Sequence, residues 1–318
     1  MHYLVTGGAG FIGSNIVRGL LKKGYQVTVL DDFSSGKKEN LTEILPQIRL
    51  VEGSILNTAL LDQLVPQVQK IIHQAAIPSV PVSLKYPCES HQVNTTGTLN
   101  LLESAKKYHI QRFVYASSSS VYGDSPVLPK HEAMIPNPLS PYAVNKLCGE
   151  HYCKIYANLY RIETISLRYF NVFGVRQNPH SEYAAVIPKF IDCFLKNRPP
   201  TIYGDGTQSR DFTYVDDVVE ANILASTVPG LCGNVFNVAS GSQAITLNQL
   251  LQKLQQIFQA SPSFSLKAQY QPERMGDVKH SFADTSAIQK QLGFQPKIGF
   301  DEGLKKTVDW LQSENKIN

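Results

Sequence analysis

Cysteine is sparse and scattered. The 318 residues include five, Cys88, Cys148, Cys153, Cys193 and Cys232, an odd number without zinc-ligand spacing and too few for a disulfide scaffold. They read as reduced thiols of a cytoplasmic protein, and no metal site is expected. No apolar run is long enough to span a bilayer. The first strand begins at His2, which leaves no room for a signal peptide, so the Asn94-Thr95-Thr96 glycosylation pattern carries no weight. Blocks of like charge are missing too, and a net charge of +4 leaves no nucleic-acid footprint. There is no internal repeat, low-complexity tract or flexible linker. What remains, 42% hydrophobic and 18% charged residues, is the make-up of a soluble globular chain. Its length suits one large or two ordinary domains around a substantial core.

The chain opens on a short apolar strand, His2–Thr6, then Gly7-Gly8-Ala9-Gly10-Phe11-Ile12-Gly13, a helix to about Lys23 with Gly24 as its stop, and a second strand, Gln26–Leu30. Further strands are expected at Ile48–Glu52, Lys70–His73, Arg112–Ala116 and Glu163–Arg168, with helices near Leu56–Leu64, Pro87–Tyr108 and Pro141–Tyr160. Alternating β and α elements predict an α/β fold, a Rossmann-type doubly wound parallel sheet. After Asn171 strands shorten and proline, glycine and tyrosine become frequent. Helices are expected near Ala184–Lys196, Val215–Thr227, Leu247–Phe258, Thr285–Leu292 and Asp301–Leu311, with Thr246-Leu247-Asn248-Gln249 as a capping box. The reading is a dinucleotide-binding domain over residues 1–171, to which about 212–238 returns, and a smaller α/β substrate domain over 172–318.

The three glycines of Gly7-x-x-Gly10-x-x-Gly13 serve in turn a tight turn, backbone approach to a pyrophosphate, and close packing of helix on strand. The helix start after Gly10 offers N–H groups and a partial positive charge to that pyrophosphate. Asp31 ends the second strand, where a carboxylate accepts from ribose hydroxyls and repels a 2′-phosphate, favouring NAD over NADP; Lys37 and Lys38 pull the other way. His73-Gln74-Ala75-Ala76 follows another strand end, with small side chains against which a ribose can lie; His73 itself reads as a core histidine. Asn94 is a candidate to orient the nicotinamide end, with a structural helix bond as the alternative.

The chemistry concentrates between Ser117 and Lys146. Tyr142 and Lys146, four residues apart after Pro141, share a helical face. A fixed cation beside a phenol favours the phenolate, which makes it a base for a sugar hydroxyl. Ser117-Ser118-Ser119-Ser120 ends the strand before it and can share the proton. The second half supplies arginines in glycine-flanked loops, Thr201–Gly206 followed by Ser209-Arg210-Asp211, and Glu273-Arg274-Met275-Gly276-Asp277. Two planar forks suit a diphosphate.

Taken together, T-G-G-x-G-x-x-G, S-S-S-x-V-Y-G-D, Y-x-x-x-K and Leu167-Arg168-Tyr169-Phe170-Asn171 resemble the extended short-chain dehydrogenase/reductases, and within them the nucleotide-sugar 4-epimerases. The resemblance runs through essentially the whole chain. Ser79-Val80-Pro81, Pro138–Val144, Tyr183–Lys189 and Lys279-His280-Ser281 are most similar to the branch acting on UDP-N-acetylhexosamines. It implies Ser118, Tyr142 and Lys146 as catalytic positions. It implies NAD held by Gly7, Gly10, Phe11, Ile12, Gly13, Asp31, Asp32, Ser35, Gly36, Ser54, Ile55, Gln74, Ala75, Ala76, Asn94, Tyr142, Lys146 and Tyr169. A UDP-sugar would meet Ser79, Ser118, Ser119 and Tyr142 at the sugar, Asn171, Arg210 and Arg274 at the diphosphate, and Asp277 at the uridine ribose. Ala185, Val186, Thr201 and Tyr203 would form the uracil pocket. Ser281 falls where glucose/galactose-only relatives carry a bulky tyrosine, leaving room for an N-acetyl group. Gly53-Ser54-Ile55 departs from the family's Gly-Asp-Ile, removing a carboxylate from the adenine pocket. The helices near Pro87–Tyr108 and Pro141–Tyr160 would pair in a homodimer.

The implied activity is reversible 4-epimerisation of a UDP-hexose through a 4-keto sugar. A 4,6-dehydratase or decarboxylase would carry an acid before V-Y-G, where this chain has Ser120. A UDP-glucuronate 4-epimerase stays open, and a non-catalytic NAD-binding regulator is opposed by the presence of both Tyr142 and Lys146.

Overall fold

The computed structural model describes residues 1–179, 185–258, 266–273 and 279–317. Seven strands form one parallel sheet: β1 (His2–Thr6), β2 (Gln26–Asp31), β3 (Arg49–Glu52), β4 (Lys70–His73), β5 (Arg112–Ser118), β6 (Glu163–Tyr169) and β7 (Asn234–Val238). Their order is β7-β6-β5-β4-β1-β2-β3. The sequence order reverses between β1 and β4, and a doubly wound sheet opens its ligand crevice there, beyond the strands' carboxyl ends. β1 and β5 lie two strands apart, so the glycine turn and the serine run end within roughly 10 Å of each other. β7 is a strand that the sequence pattern does not announce: it pairs in parallel with β6, from Asn234 opposite Ile165 to Val238 opposite Tyr169.

Both faces of a parallel sheet must be covered, which is why its strands are apolar on both sides. The principal helices are α1 (Phe11–Lys22), α2 (Gly97–Lys107), α3 (Pro141–Tyr160), α4 (Val186–Leu195), α5 (Val215–Thr227) and α6 (Leu247–Phe258). Ile16 and Leu20 of α1 and Val218 and Ala221 of α5 bury one face with Tyr3, Val5 and Val29. Leu101 and Leu102 of α2 and Cys153 and Tyr156 of α3 bury the other with Leu4, Ile71 and Tyr115. A third core, built on Phe173, Phe190, Phe194, Ile202, Phe212, Leu250 and Leu304, lies off the sheet, and Phe11 of α1 packs against it. The capping box forms as expected: the Thr246 hydroxyl accepts from the Gln249 N–H at 3.1 Å, and the Gln249 side chain accepts from the Thr246 N–H at 2.8 Å.

Two local differences bear on the site. The helix expected over Pro87–Tyr108 is divided into Pro87–His91, a π-helical turn at Gln92–Thr96, and α2. The widened turn holds Asn94, buried, whose carboxamide reaches back to Ile77. The carboxyl end of α5 is also capped unusually. Lys70 donates to the Ser226 carbonyl at 2.5 Å, and Arg112 donates to the carbonyls of Ala225 at 3.1 Å and Val228 at 2.8 Å while pairing with Glu163 at 2.7 Å. Two buried cations thus satisfy carbonyls that a helix end leaves without partners.

Candidate active site

Gly7 follows β1 with φ +67° and donates to the Leu30 carbonyl at 2.8 Å, which turns the chain back toward α1. Gly10 donates to the Gly7 carbonyl at 3.1 Å, and the first helical bond runs from Ser14 N–H to the Gly10 carbonyl at 3.0 Å. The N–H groups of Phe11, Ile12 and Gly13 precede that bond and head the helix toward the crevice. Asp31, buried at the end of β2, accepts from the N–H groups of Ala9 at 2.8 Å and Phe33 at 2.9 Å. Burial raises its pKa, and these two donors work against the rise. A side chain at Gly36 would sit 2.7 Å from the same carboxylate. Asp32 is exposed and accepts from the Ser34 N–H and hydroxyl, Ser35 is exposed beside it, and the Ser54 hydroxyl accepts from Leu56 N–H at 3.2 Å. Ile55 is buried against Gly97.

On the far side of the crevice, α3 starts with a Ser140 cap and Pro141 in its first turn. Asn145 ties the helix to the preceding one through Thr95 at 3.1 Å and Ser90 at 3.2 Å, and the Tyr142 N–H donates to Ser83 at 3.1 Å. The Ser118 hydroxyl, at the end of β5, lies near Tyr142 and favours its ionised form. The Lys146 ammonium lies 5.8 Å from the centre of the Tyr142 ring and 5.2 Å from that of Tyr115, and donates to the Ala116 carbonyl at 2.8 Å. The pairing is as the spacing predicts, but the direction of the titration is not. Burial pushes the Tyr142 phenol up to about 12, with the Ser118 hydroxyl opposing it, and pulls Lys146 down to about 8. Without a ligand, Tyr142 is therefore a neutral phenol at neutral pH. Loss of water at the buried ring sets the direction.

Beyond Asn171 a cavity of about 670 Å³ opens between α4, the strand Thr201–Tyr203 and the Arg210 segment. Asn171, Ala185, Val186, Thr201, Tyr203 and Arg210 all line it, so six expected nucleotide contacts come together. Asn171 donates to the Asp211 carbonyl at 3.3 Å, and Arg210 donates to the carbonyls of Ser209 at 2.9 Å and Lys279 at 3.1 Å. Ser281 lies in register with Arg210 on a neighbouring short strand, and Asp211 N–H donates to its carbonyl at 2.8 Å. Ser79 caps the short helix Val80–Lys85, Ser119 follows Ser118 in a half-buried turn, and both stand at the catalytic end rather than in this cavity. Arg274 and Asp277 lie outside the described residues. No helix of the described residues is long and apolar enough to cross a membrane, and none of their acidic, histidine and cysteine clusters could hold a metal.

Residues 3–239 match the NAD dependent epimerase/dehydratase family. The chain belongs to that family. A UDP-glucose 4-epimerase of Mycolicibacterium smegmatis is 38% identical over 99% of this chain and 100% of its own. A UDP-glucuronate 4-epimerase of Thermodesulfobacterium geofontis is 36% identical over 99% and 98%. The solved structure of a UDP-N-acetylglucosamine 4-epimerase from Methanobrevibacter ruminantium, in complex with UDP-N-acetylmuramic acid, superposes with a TM-score of 0.93 at 39% identity, covering 98% of both chains. The three relatives act on different sugars at nearly equal identity. Overall similarity therefore cannot choose among them, and the choice falls to the site.

The residues fit the family's NAD. The glycine turn, the head of α1 and the Asp31 carboxylate, whose oxygens each keep a lone pair after accepting from backbone, form a dinucleotide cradle. The wall formed by Gln74-Ala75-Ala76 approaches so closely that a Cβ on Gly7 would lie 2.6 Å from the Ala75 nitrogen. Two of the expected contacts also have protein partners. Asn94 accepts from Ile77 N–H at 2.7 Å and donates to its carbonyl at 3.1 Å. The Tyr169 hydroxyl is buried between Gln74 at 2.9 Å and Asn222 at 2.8 Å. These bonds tie both residues to the segment that forms the wall. His73 is a satisfied core histidine, held by Thr6 and Thr98 and driven down to about 3 by burial.

Sequence reasoning missed several site residues. Ser83 fixes the Tyr142 backbone, and Asn222 holds Tyr169. Asp211, fully buried, accepts from Ser240 at 2.7 Å and from Gly241 N–H at 3.3 Å, bracing the Arg210 loop. Lys189, Lys196 and Arg198 join Arg210 to make the cavity cationic, with Asp192 paired to Lys196 at 2.7 Å and Arg198 at 3.2 Å. Only a weakly basic net charge hinted at them.

Proposed function

We propose that the chain is an NAD-dependent UDP-hexose 4-epimerase that interconverts UDP-GlcNAc with UDP-GalNAc and UDP-glucose with UDP-galactose. The observation that carries this reading is Tyr142 near Ser118 at the strand end, with the Lys146 ammonium 5.8 Å from the centre of its ring, at the same sheet edge as the dinucleotide turn. Bound NAD supplies a reversible acceptor for the C4 hydride and, in its oxidised form, a nearby positive charge. Tyr142, through or beside Ser118, removes the C4 hydroxyl proton, and Lys146 stabilises the phenolate character that develops. A 4-keto sugar results. Asn171 and Arg210 anchor the diphosphate in the cationic cavity, far from the reacting carbon, so the sugar can turn between its two faces without release. Tyr142 then returns the proton. Residues 1–171 with 212–238 would form the cofactor domain and the remainder the UDP-sugar domain, with the sugar reaching Ser118 and Tyr142 of the first. The exposed apolar residues Val144, Ile155 and Leu159 on one face of α3 are the surface through which two copies would pair.

N-acetyl acceptance rests on Ser281, a small residue in backbone register with Arg210, and the reading is supported by that register. The test is product identification by NMR with UDP-GlcNAc, UDP-glucose and UDP-glucuronate. Turnover of both hexoses supports the reading, and turnover of UDP-glucuronate alone overturns it. Ser281→Tyr should lower kcat/KM for UDP-GlcNAc at least about 10-fold relative to UDP-glucose, because the added ring occupies the volume of the acetamido group. An unchanged preference ratio removes pocket volume as the explanation.

A further inference from the structure

Tyr142 and Lys146 are two steps of a longer series. Glu150 lies one further turn along α3, so the phenol, the ammonium and a carboxylate recur at i, i+4 and i+8 on one helical face. Glu150 is as deeply buried as Lys146, each 4% exposed. Its carboxylate accepts three hydrogen bonds from two residues. Arg168 of β6 donates to it from Nε at 2.9 Å and Nη2 at 2.7 Å, and the Ser117 hydroxyl, adjacent to Ser118, makes a short bond to Oε1. Such a two-pronged pairing fixes the carboxylate's orientation as well as its place. The Arg168 guanidinium is fixed in turn over the Tyr122 ring, 4.6 Å from its centre.

We propose that Glu150 is a positioning residue for the catalytic pair, which keeps Lys146 in its ammonium form behind Tyr142 while its bond to Ser117 sets the serine strand end against Tyr142. A buried ammonium whose hydrogen bond goes to a neutral carbonyl, Ala116, is costly unless an anion lies close. The groups facing Lys146 are Tyr142 and Glu150 on α3, Tyr115 on β5 and His73 on β4. His91 reaches α3 only at Asn145, and Arg168 of β6 acts through Glu150. Among them Glu150 is the anion. Burial draws Lys146 down to about 8, and Glu150 opposes that descent. Tyr142 is a neutral phenol and His73 is driven toward its neutral form, so neither replaces it.

The catalytic meaning rests on the epimerase reading, but the electrostatic claim can be tested apart from turnover. The Lys146 ε-carbon is followed by NMR titration of ¹³C-lysine-labelled protein, with Lys146→Arg assigning the resonance. In Glu150→Gln, which keeps shape and can still meet Ser117, the Lys146 midpoint should fall by about one to two pH units. The alkaline limb of kcat/KM should move down with it. Because Glu150→Gln leaves Arg168 buried without its partner, and that cation adds to the fall, the Glu150→Gln/Arg168→Met double variant, which removes both charges, is measured in parallel and should show a smaller downward shift. An unmoved midpoint in these variants overturns the inference, even if their activity is reduced. A wild-type protein that fails to epimerise any UDP-hexose overturns the function instead, and leaves the titration free to report on Glu150.

Discussion

Tyr142→Phe is expected to lower the rate of 4-epimerisation by about 1,000-fold, within the range that a positioned acid–base group contributes. The substitution removes one oxygen and little else. The ring remains, the backbone bond from residue 142 to Ser83 remains, and the cavity lined by Asn171, Thr201 and Arg210 is untouched. NAD and UDP affinities should therefore stay within a few-fold of wild type, so the loss should appear in kcat rather than KM. Since the unliganded phenol is raised to about 12, no preformed phenolate awaits the substrate. On the proposed reading the proton moves as the C4 hydride leaves, when nearby positive charge and the Ser118 hydroxyl favour the phenolate. Single-turnover absorbance of the reduced nicotinamide, recorded with UDP-GlcNAc and UDP-glucose, checks this directly. A variant that retains near wild-type turnover removes Tyr142 from the chemistry.

The fold was legible where a local pattern had only one physical use. A buried apolar strand, a glycine turn and a helix could form only the opening of a doubly wound sheet, and Val5, Gly7 and Ile16 lie where that pattern demands. Helix caps were equally readable, because Thr246 and Gln249 satisfy each other within four residues. Relations across the sheet were hidden. β7 was unreadable as a strand because its five residues become one only by pairing with β6, about 70 residues earlier. The π-helical turn at Gln92–Thr96 depends on Asn94 finding Ile77, which no helical period announces.

The catalytic site divides in the same way. Tyr142 and Lys146 could be paired from their spacing, since one helix face brings them together whatever surrounds them. The direction of their titration could not, because it depends on how much water the fold removes. Burial raises Tyr142 against the Ser118 hydroxyl and lowers Lys146 itself. Glu150 had the same spacing but no visible meaning until Arg168 and Ser117 arrived from other strands. The cationic rim of the cavity, Lys189, Lys196 and Arg198, was invisible for the opposite reason: charged residues on a helix and its exit ordinarily read as a solvated face, and only the fold puts these around one cavity with Arg210.

Gly13→Ala should damage the cofactor site while leaving the chemistry intact. A Cβ at position 13 would stand 2.1 Å from the Gly7 carbonyl oxygen and 2.8 Å from the Gly8 Cα, so the clash is with backbone and no side-chain rotation relieves it. Either the turn or the start of α1 must move. Gly7 cannot readily retreat, because its φ of +67° and its closeness to Ala75 fix it from the other side. The displaced groups are the N–H donors at the head of α1, which the pyrophosphate would meet. Overpacking of this kind costs about 1–3 kcal/mol, and if that cost falls on the NAD-bound geometry it weakens NAD binding by roughly 10- to 100-fold. Tyr142 and Lys146 sit on α3, braced by Ser83 and Asn145, and do not share the clash. Isothermal titration with NAD should therefore show the weakened affinity, whereas kcat at saturating NAD should recover most of the wild-type value. Unchanged NAD affinity would mean that the glycine turn is not where the dinucleotide is held, and a kcat that stays low at saturation would mean that the turn also shapes the catalytic pair.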